Sequence, residues 1–281
     1  MDASLLYNRG MKQERDEGKS PDHCATGKVR LFVEADLGAG LGVVPTRDQT
    51  HYLLNVMRMR DGDAVRLFNG RDGEWLGHLD QVKKRSCLIA LERQTRPQEG
   101  LPDLWLLFAP VKRARLDFMV QKAVEMGTSR IQPVLTERTN VARVKEDRLV
   151  ANAIEAAEQC GLLAVPEIAD PEPLSRLLDR WTEIAPGRRI LFCDEAADQG
   201  GALESLQGLA GAGGPGPLAV LIGPEGGFSP AERDRLLACD DTLALSLGPR
   251  IMRADTAAVA ALAAVQLVVG DWRNRETSSR K

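Results

Sequence analysis

Leu221-Ile222-Gly223-Pro224-Glu225-Gly226-Gly227-Phe228-Ser229-Pro230 is an apolar run that stops in a glycine-rich turn and restarts as a helix. Leu218 to Ile222 (LAVLI) reads as a buried strand. Gly226 and Gly227 permit positive φ and let a ligand approach the main chain closely. Ser229 is placed as an N-cap with Pro230 at N1 and Glu232 at N3, a capping box followed by Leu236 and Leu237. Strand, tight loop and capped helix in this order make a place where main-chain groups hold a small molecule at a strand's carboxyl end. An ordinary β–α turn has the same outline, so the loop alone does not decide its own use.

Two common nucleotide loops are excluded. A Walker phosphate loop needs Lys followed by Ser or Thr after its last glycine, and Gly227 is followed by Phe228-Ser229. The dinucleotide fingerprint G-x-G-x-x-G is absent, and Glu225 sets a negative charge where phosphates would lie. A ligand here should be neutral or cationic near Glu225 and carry no phosphate. A second segment repeats the pattern. Thr242 to Leu247 (TLALSL) is another apolar strand, ending in Gly248-Pro249-Arg250-Ile251-Met252-Arg253-Ala254-Asp255-Thr256, where Asp255 or Thr256 caps an Ala-rich helix running to Val269. The two strand–loop–helix units are expected to be neighbours.

With both Gly-Pro loops in view, the chain resembles the bacterial uridine-N3 methyltransferases of 16S ribosomal RNA, members of the SPOUT superfamily. The resemblance rests on LIGPEGGFSPAE followed by LSLGPRIMRADTA. It is extended by QKAVEMGTSRIQPVLTERT (Gln121 to Thr139), EAAEQCGLLAVPEI (Glu155 to Ile168) and HYLLNVMRMRDGD (His51 to Asp63), and covers residues 28 to 271. It implies an α/β fold: a C-terminal trefoil-knotted, mostly parallel sheet with an N-terminal PUA-like β-barrel that binds RNA. It also implies S-adenosyl-L-methionine as cofactor, 16S ribosomal RNA or the small ribosomal subunit as partner, and a homodimer. The family departs from this chain in three places: it carries Arg where Leu162 and Leu163 stand, Glu where Asp255 stands, and a histidine pair where His51-Tyr52 stands.

Punctuation divides the chain. Residues 1–27 are charged, nearly free of β-branched residues, and expected to be a disordered extension. Residues 28–97 read as short strands at Val29 to Val33, Ala64 to Phe68, Glu74 to Leu79 and Cys87 to Leu91, with turns at Asp61-Gly62-Asp63 and Asn69 to Gly73. Thr95 to Pro102 is the expected linker. From Leu104 strands and helices alternate: strands at 104–109, 131–135 and 190–193, and helices around Arg115 to Met126, Arg148 to Cys160 and Ala202 to Leu209. Alternation predicts a mostly parallel sheet covered on both faces. A catalytic domain over 103–272 and a flexible tail over 273–281 complete the expected organisation.

Composition fits an enzyme of the reducing cytoplasm. The 281 residues suffice for two domains, no apolar run reaches membrane-spanning length, and the polar start lacks a signal-peptide core. Cys24, Cys87, Cys160, Cys193 and Cys239 are odd in number and scattered, which argues against disulfides and against a structural metal. Net charge is −3, yet residues 51–150 carry a local excess of +5. Local rather than total charge governs counterion release, so this asymmetry fits a basic face for phosphates.

The expected chemistry follows. Main-chain groups of Leu221, Ile222, Gly223, Pro224, Glu225 and Gly226, and of Leu245, Ser246, Leu247, Gly248, Ile251 and Met252, are the cofactor-binding candidates. Uridine N3 is a weakly acidic imide that must lose a proton, so a cation beside it and a base or water are needed. Arg138, Arg250 and Arg253 are candidate cations, and Glu225, Glu137 or Asp255 candidate bases; Arg138, Glu225 and Arg253 are carried forward as catalytic. Arg58, Arg60, Lys83, Lys84 and Arg85, with Lys112, Arg113 and Arg115, are candidates for RNA phosphate contacts. Ribose 2′-O methylation of tRNA or ribosomal RNA, and RNA binding without catalysis, are the competing readings. The helix from Ala257 to Val269, apolar nearly all round, wants burial on every side; homodimerisation across it would provide that, as would a central place within one subunit.

Overall fold

The computed structural model describes residues 4–6, 27–140, 144–197, 202–209 and 216–273. These divide into two compact units: residues 1–100 together with 157–164, and the remainder.

In the first unit, β1 (Ser4–Leu6), β2 (Val29–Phe32), β3 (Leu41–Val43), β4 (Ala64–Phe68), β5 (Glu74–Lys83) and β6 (Ser86–Arg96) form one sheet in the order β1-β3-β6-β5-β4-β2. Its pairings are antiparallel except β2 with β4. Helix α1 (Arg47–His51) follows β3 behind a Thr46–Gln49 capping box and continues as a π-helical turn, Tyr52–Val56. One core holds Leu31, Leu53, Val65, Leu67, Leu79 and Ile89. Two expectations are corrected. Residues 4–6 are a strand, not disordered, while the rest of 1–26 lies outside the described residues. Thr95 and Arg96 belong to β6, so the connection begins at Pro97.

Glu74 is the buried charge of this unit. Its side chain is 2% exposed, Arg30 Nε donates to it at 2.8 Å, Arg66 stands at 3.4 Å, and Thr95 Oγ1 donates at 2.7 Å. Burial alone would raise its pKa, but the Thr95 and Arg30 hydrogen bonds and the two guanidinium charges outweigh it, and the carboxyl lies below its ordinary value. The stability drawn from this shift is therefore full above the ordinary carboxylate pKa and is lost as pH falls through the depressed one. Arg30 also donates to the carbonyls of Ala157, Glu158 and Leu162, the last at 2.8 Å, and Arg96 to that of Gly161 at 2.7 Å. Two guanidiniums thus satisfy carbonyls at a helix C-terminus. Leu163 is 2% exposed. Glu74→Ala is expected to cost about 3 kcal/mol in urea unfolding, because Arg30 loses its buried counter-charge.

The second unit alternates: β7 (Leu104–Phe108), α2 (Arg113–Glu125), β8 (Arg130–Leu135), α3 (Glu146–Cys160, whose last turn counts with the first unit), β9 (Glu167–Ile168), β10 (Glu172–Pro173), α4 (Leu174–Asp179), α5 (Trp181–Ile184), β11 (Arg189–Cys193), α6 (Ala202–Gly208), β12 (Leu218–Ile222), α7 (Pro230–Leu237), β13 (Thr242–Leu245) and α8 (Ala254–Val268). Every pairing in its sheet is parallel, in the order β10-β8-β7-β12-β11-β13 with β9 beside β8. All five residues of β12 are buried, as a strand covered on both faces requires. Ala219 and Leu221 pack with Leu107, Phe192, Trp181 and Leu236 towards α4, α5 and α7, while α8 packs against β12, α2 and α6.

Three details differ from the sequence reading. β13 stops at Leu245, leaving Ser246 and Leu247 in the loop. The N-cap of α8 is Arg253, with no side-chain bond, so Asp255 and Thr256 lie inside its first turn. The two loop-bearing strands are not neighbours, since β11 lies between β12 and β13. Residues 274–281, the expected tail, lie outside the described residues.

Candidate functional site

Because all strands of the second unit run parallel, the loops after β7, β8, β11, β12 and β13 leave from one end of the sheet. Two strand spacings separate β12 from β13, roughly 10 Å, with the end of β11 between them. Strand carboxyl ends are where open α/β sheets take ligands.

The β12 loop is built from both sides. Gly223 lies against the Phe228 ring, which a Cβ there would meet at 2.5 Å, and that ring packs edge-on against Phe192. Gly227, at φ 68°, donates its N–H to the Pro224 carbonyl at 2.9 Å and closes the turn. Gly226 is exposed and faces only Arg138, at 3.8 Å from an added Cβ, so the main chain stays open to a ligand. The capping box is present: Ser229 Oγ accepts from Glu232 N, and Glu232 Oε2 accepts from Ser229 N at 2.9 Å.

Three contacts tie neighbouring loops to this one. Arg115, in the first turn of α2, pairs with Glu225. Arg138, in the turn after β8, donates to the Gly226 carbonyl at 2.8 Å. Glu137 N donates to Glu232 Oε1 at 2.8 Å. The catalytic candidates Arg138 and Glu225 thus stand on adjoining parts of one loop system, whereas exposed Arg253 caps α8 beyond the β13 loop. Arg115, a candidate for RNA, is engaged with Glu225; Lys112 and Arg113 beside it are exposed.

The β13 loop holds Ser246 to Met252. Gly248 takes φ 101° in open space, and Ile251 is 88% exposed, an isoleucine side chain left in water. Leu245 O accepts from Asp194 N at 3.2 Å. Asp194, 6% exposed, accepts from Arg233 Nε at 2.9 Å and joins the β11 end to α7. Asp194, Glu232 and Arg233 went unnoticed as site residues in the sequence, although the Glu232 cap itself was legible. Cys193, ending β11, has its thiol pushed up to about 12 by burial, so it offers no thiolate nucleophile at neutral pH.

In the first unit, Arg58 and Arg60 precede a turn in which Asp61 Oδ1 accepts from Val82 N at 3.3 Å, next to the exposed Lys83, Lys84 and Arg85 of the β5–β6 hairpin. Arg58 (φ 54°) and Gln81 (φ 52°) both take the left-handed conformation, a cost of about 1 kcal/mol each. Among the described residues no cluster of His, Cys, Asp or Glu could hold a metal, and no helix is long and apolar enough to cross a membrane.

The chain thus joins an all-parallel α/β unit, with five loops at its strand carboxyl ends, to a small, mostly antiparallel sheet unit. The chain belongs to the RNA methyltransferase family: the model described as RNA methyltransferase domain matches residues 98–266, and that described as RNA methyltransferase PUA domain matches residues 45–92. It is similar to ribosomal RNA small subunit methyltransferase E of Bacillus subtilis, 31% identical over 80% of this chain and 91% of that one. The same enzyme of Rickettsia conorii is 28% identical over 85% and 95% respectively. Among solved structures, ribosomal RNA small subunit methyltransferase E from Neisseria gonorrhoeae bound to S-adenosyl methionine superposes with a TM-score of 0.73 at 27% identity, over 86% of this chain and 98% of that one.

Proposed function

We propose that this enzyme transfers a methyl group from S-adenosyl-L-methionine to N3 of one uridine in the 16S ribosomal RNA of the small subunit. It works in the cytoplasm, where that RNA is assembled into subunits. Residues 28–97 hold RNA and residues 103–272 carry the catalysis. The observation that carries this reading is that the β12 and β13 loops, which bear the resemblance, leave the parallel sheet at the same end and lie inside the stretch matched to RNA methyltransferases.

The residues present fit the cofactor. Arg115 and Arg138 are committed to the loop's own Glu225 and Gly226 carbonyl, which suits a ligand without phosphates. Gly226 and Gly248 leave main-chain groups approachable, and Ile251 offers apolar surface for an adenosine or thioether face. Bound there, S-adenosyl-L-methionine supplies a sulfonium-activated methyl open to in-line attack, so the chain's work is positioning. One N–H of Arg138 holds Gly226, and its remaining donors stabilise negative charge developing on the uracil. Glu225 takes the N3 proton, and Arg253 adds a second cation. The bases must be presented unpaired, as loops of RNA present them. Arg58, Arg60, Lys83, Lys84 and Arg85 hold phosphates on the first unit, and Lys112 and Arg113 on the second.

The trefoil knot belongs to the same proposal and rests on the resemblance alone. The homodimer belongs to it as well. α8 buries Ala258, Ala261, Leu262 and Val265 within the chain but leaves Ala260, Ala263, Ala264 and Leu267 half-buried or exposed on its other side. Leu267, 61% exposed, is the residue to change, since Leu262 is fully buried and its replacement would unfold the chain. Leu267→Glu is expected to turn a dimer into a folded monomer in sedimentation velocity; an unchanged sedimentation coefficient would remove α8 from the interface.

The function is tested by transfer of labelled methyl to naked small-subunit RNA, small subunits and tRNA in parallel, followed by digestion to nucleosides and mass spectrometry. Label on the uracil base of small-subunit RNA is expected. Label on ribose, or on tRNA alone, overturns the reading.

A further inference from the structure

A capping box uses one carboxylate oxygen of its N3 residue. Glu232 uses both. Its Oε2 accepts from Ser229 N at 2.9 Å, closing the cap of α7, and its Oε1 accepts from Glu137 N at 2.8 Å, in the turn after β8. The second bond does nothing for α7. It lands on the main chain of the residue preceding Arg138.

That turn is stiff within itself. Thr136 N donates to Thr139 Oγ1 at 2.9 Å, the two threonine hydroxyls meet at 2.8 Å, and Thr139 N donates to the Thr136 carbonyl at 3.1 Å. A stiff turn at a strand end keeps one soft motion, a swing of the whole turn; the bond from Glu232 grips its main chain directly, whereas the Arg138 bond to Gly226 runs through a long side chain. The base from which Glu232 acts is also fixed, because Arg233, the next residue, pairs with the buried Asp194 at the end of β11. The first turn of α7 therefore locks the β8 turn to the ends of β11 and β12.

We propose that Glu232 is a positioning residue: its carboxylate pins the main chain at Glu137 and so aims the Arg138 guanidinium across the methyl-transfer site. This rests on the reading of Arg138 as the group that stabilises charge on the uracil. Misaiming a charge-stabilising group lowers turnover while leaving substrate binding nearly intact, since the lost interaction forms only in the transition state.

Glu232→Gln separates the two bonds. Glutamine serves as N3 of a capping box, but its amide has one acceptor oxygen, so Ser229 N keeps a partner and Glu137 N faces an NH2 group. The expected result is an unchanged melting temperature, clearly faster hydrogen exchange at the Glu137 amide, KM values within about twofold, and kcat lower by about ten- to a hundredfold. Ser229→Ala makes the opposite cut. It removes the cap acceptor but keeps the main-chain N–H that Glu232 holds, so it should lower melting by about 2–4 °C and leave kcat within about twofold.

Wild-type exchange at Glu137 in the Glu232→Gln protein overturns the proposal, as does wild-type kcat. If Glu232→Gln also melts early, equal kcat losses in both variants overturn it, and loss confined to Glu232→Gln upholds it. Should the wild-type protein transfer no methyl to any RNA, the functional reading fails separately, and exchange at Glu137 still decides whether Glu232 pins the turn.

Discussion

Gly226→Val is expected to weaken binding of S-adenosyl-L-methionine by about a hundredfold or more, roughly 3 kcal/mol, with no change in melting temperature. The two halves of this expectation come from different observations. On the side of the fold, Gly226 is exposed and is absent from the glycines with positive φ, and an added Cβ meets nothing closer than the Arg138 side chain at 3.8 Å. Valine is therefore free to take the existing backbone. On the side of the ligand, an isopropyl group stands over the main chain that the proposed cofactor must touch, and affinity built on close approach to backbone is lost when the approach is blocked. Gly223 allows no such separation, because a Cβ there strikes the Phe228 ring at 2.5 Å and disturbs the packing on Phe192. Calorimetry on the purified variant measures the affinity directly, and a scanning melt run alongside it reads the fold. Undiminished affinity would take the β12 loop out of the cofactor site.

How much of this site was legible in the chain depends on the range of the forces that build it. The bounds of β12 were readable because Leu218 to Ile222 is buried on both faces and shows as an unbroken apolar run. The start of α7 was readable because a capping box closes between residues three apart. β9 and β10 were not, since two-residue strands have no periodicity and exist only through pairing with β8. The neighbour relation of the loops was misread for the same reason: nothing near Ile222 or Leu245 says that β11 inserts between their strands. Helix α8 begins before its obvious capping residues, at Arg253, because tertiary packing rather than local capping sets that end.

The contacts that organise the site are the least local of all. Arg115 and Glu225 are 110 residues apart, Glu137 and Glu232 are 95 apart, and Arg138 and Gly226 are 88 apart. Residue types suggested that Arg115 would meet phosphate and that Glu225 would face a neutral or cationic ligand. The fold brings them together, so the loop shows a ligand a balanced pair. Leu163 acquires a reason in the same way, since its side chain is buried in the interior.

Arg138→Ala is expected to lower kcat for methyl transfer by about 10²- to 10³-fold, the range seen when one donor to developing negative charge is removed. Cofactor affinity should fall far less, by about fivefold, since one hydrogen bond to the exposed Gly226 carbonyl contributes on the order of 1 kcal/mol. The split between the two effects is what distinguishes a charge-stabilising role from a purely architectural one. Arg138→Lys should fall between wild type and alanine. A lysine ammonium is a point charge that can serve the Gly226 carbonyl or the uracil, whereas the guanidinium fork serves both at once. A pH series adds an independent sign. Without the cation, transfer depends on how much of the N3 imide has already lost its proton, so the alanine variant should gain more from rising pH than the wild type does. Single-turnover methyl transfer at saturating cofactor, repeated across pH, reads all three expectations. If the alanine variant keeps wild-type kcat, or shows the wild-type pH profile at reduced rate, Arg138 does not face the reacting base, and the negative charge on the uracil must be met by the cations of the β13 loop, Arg250 and Arg253.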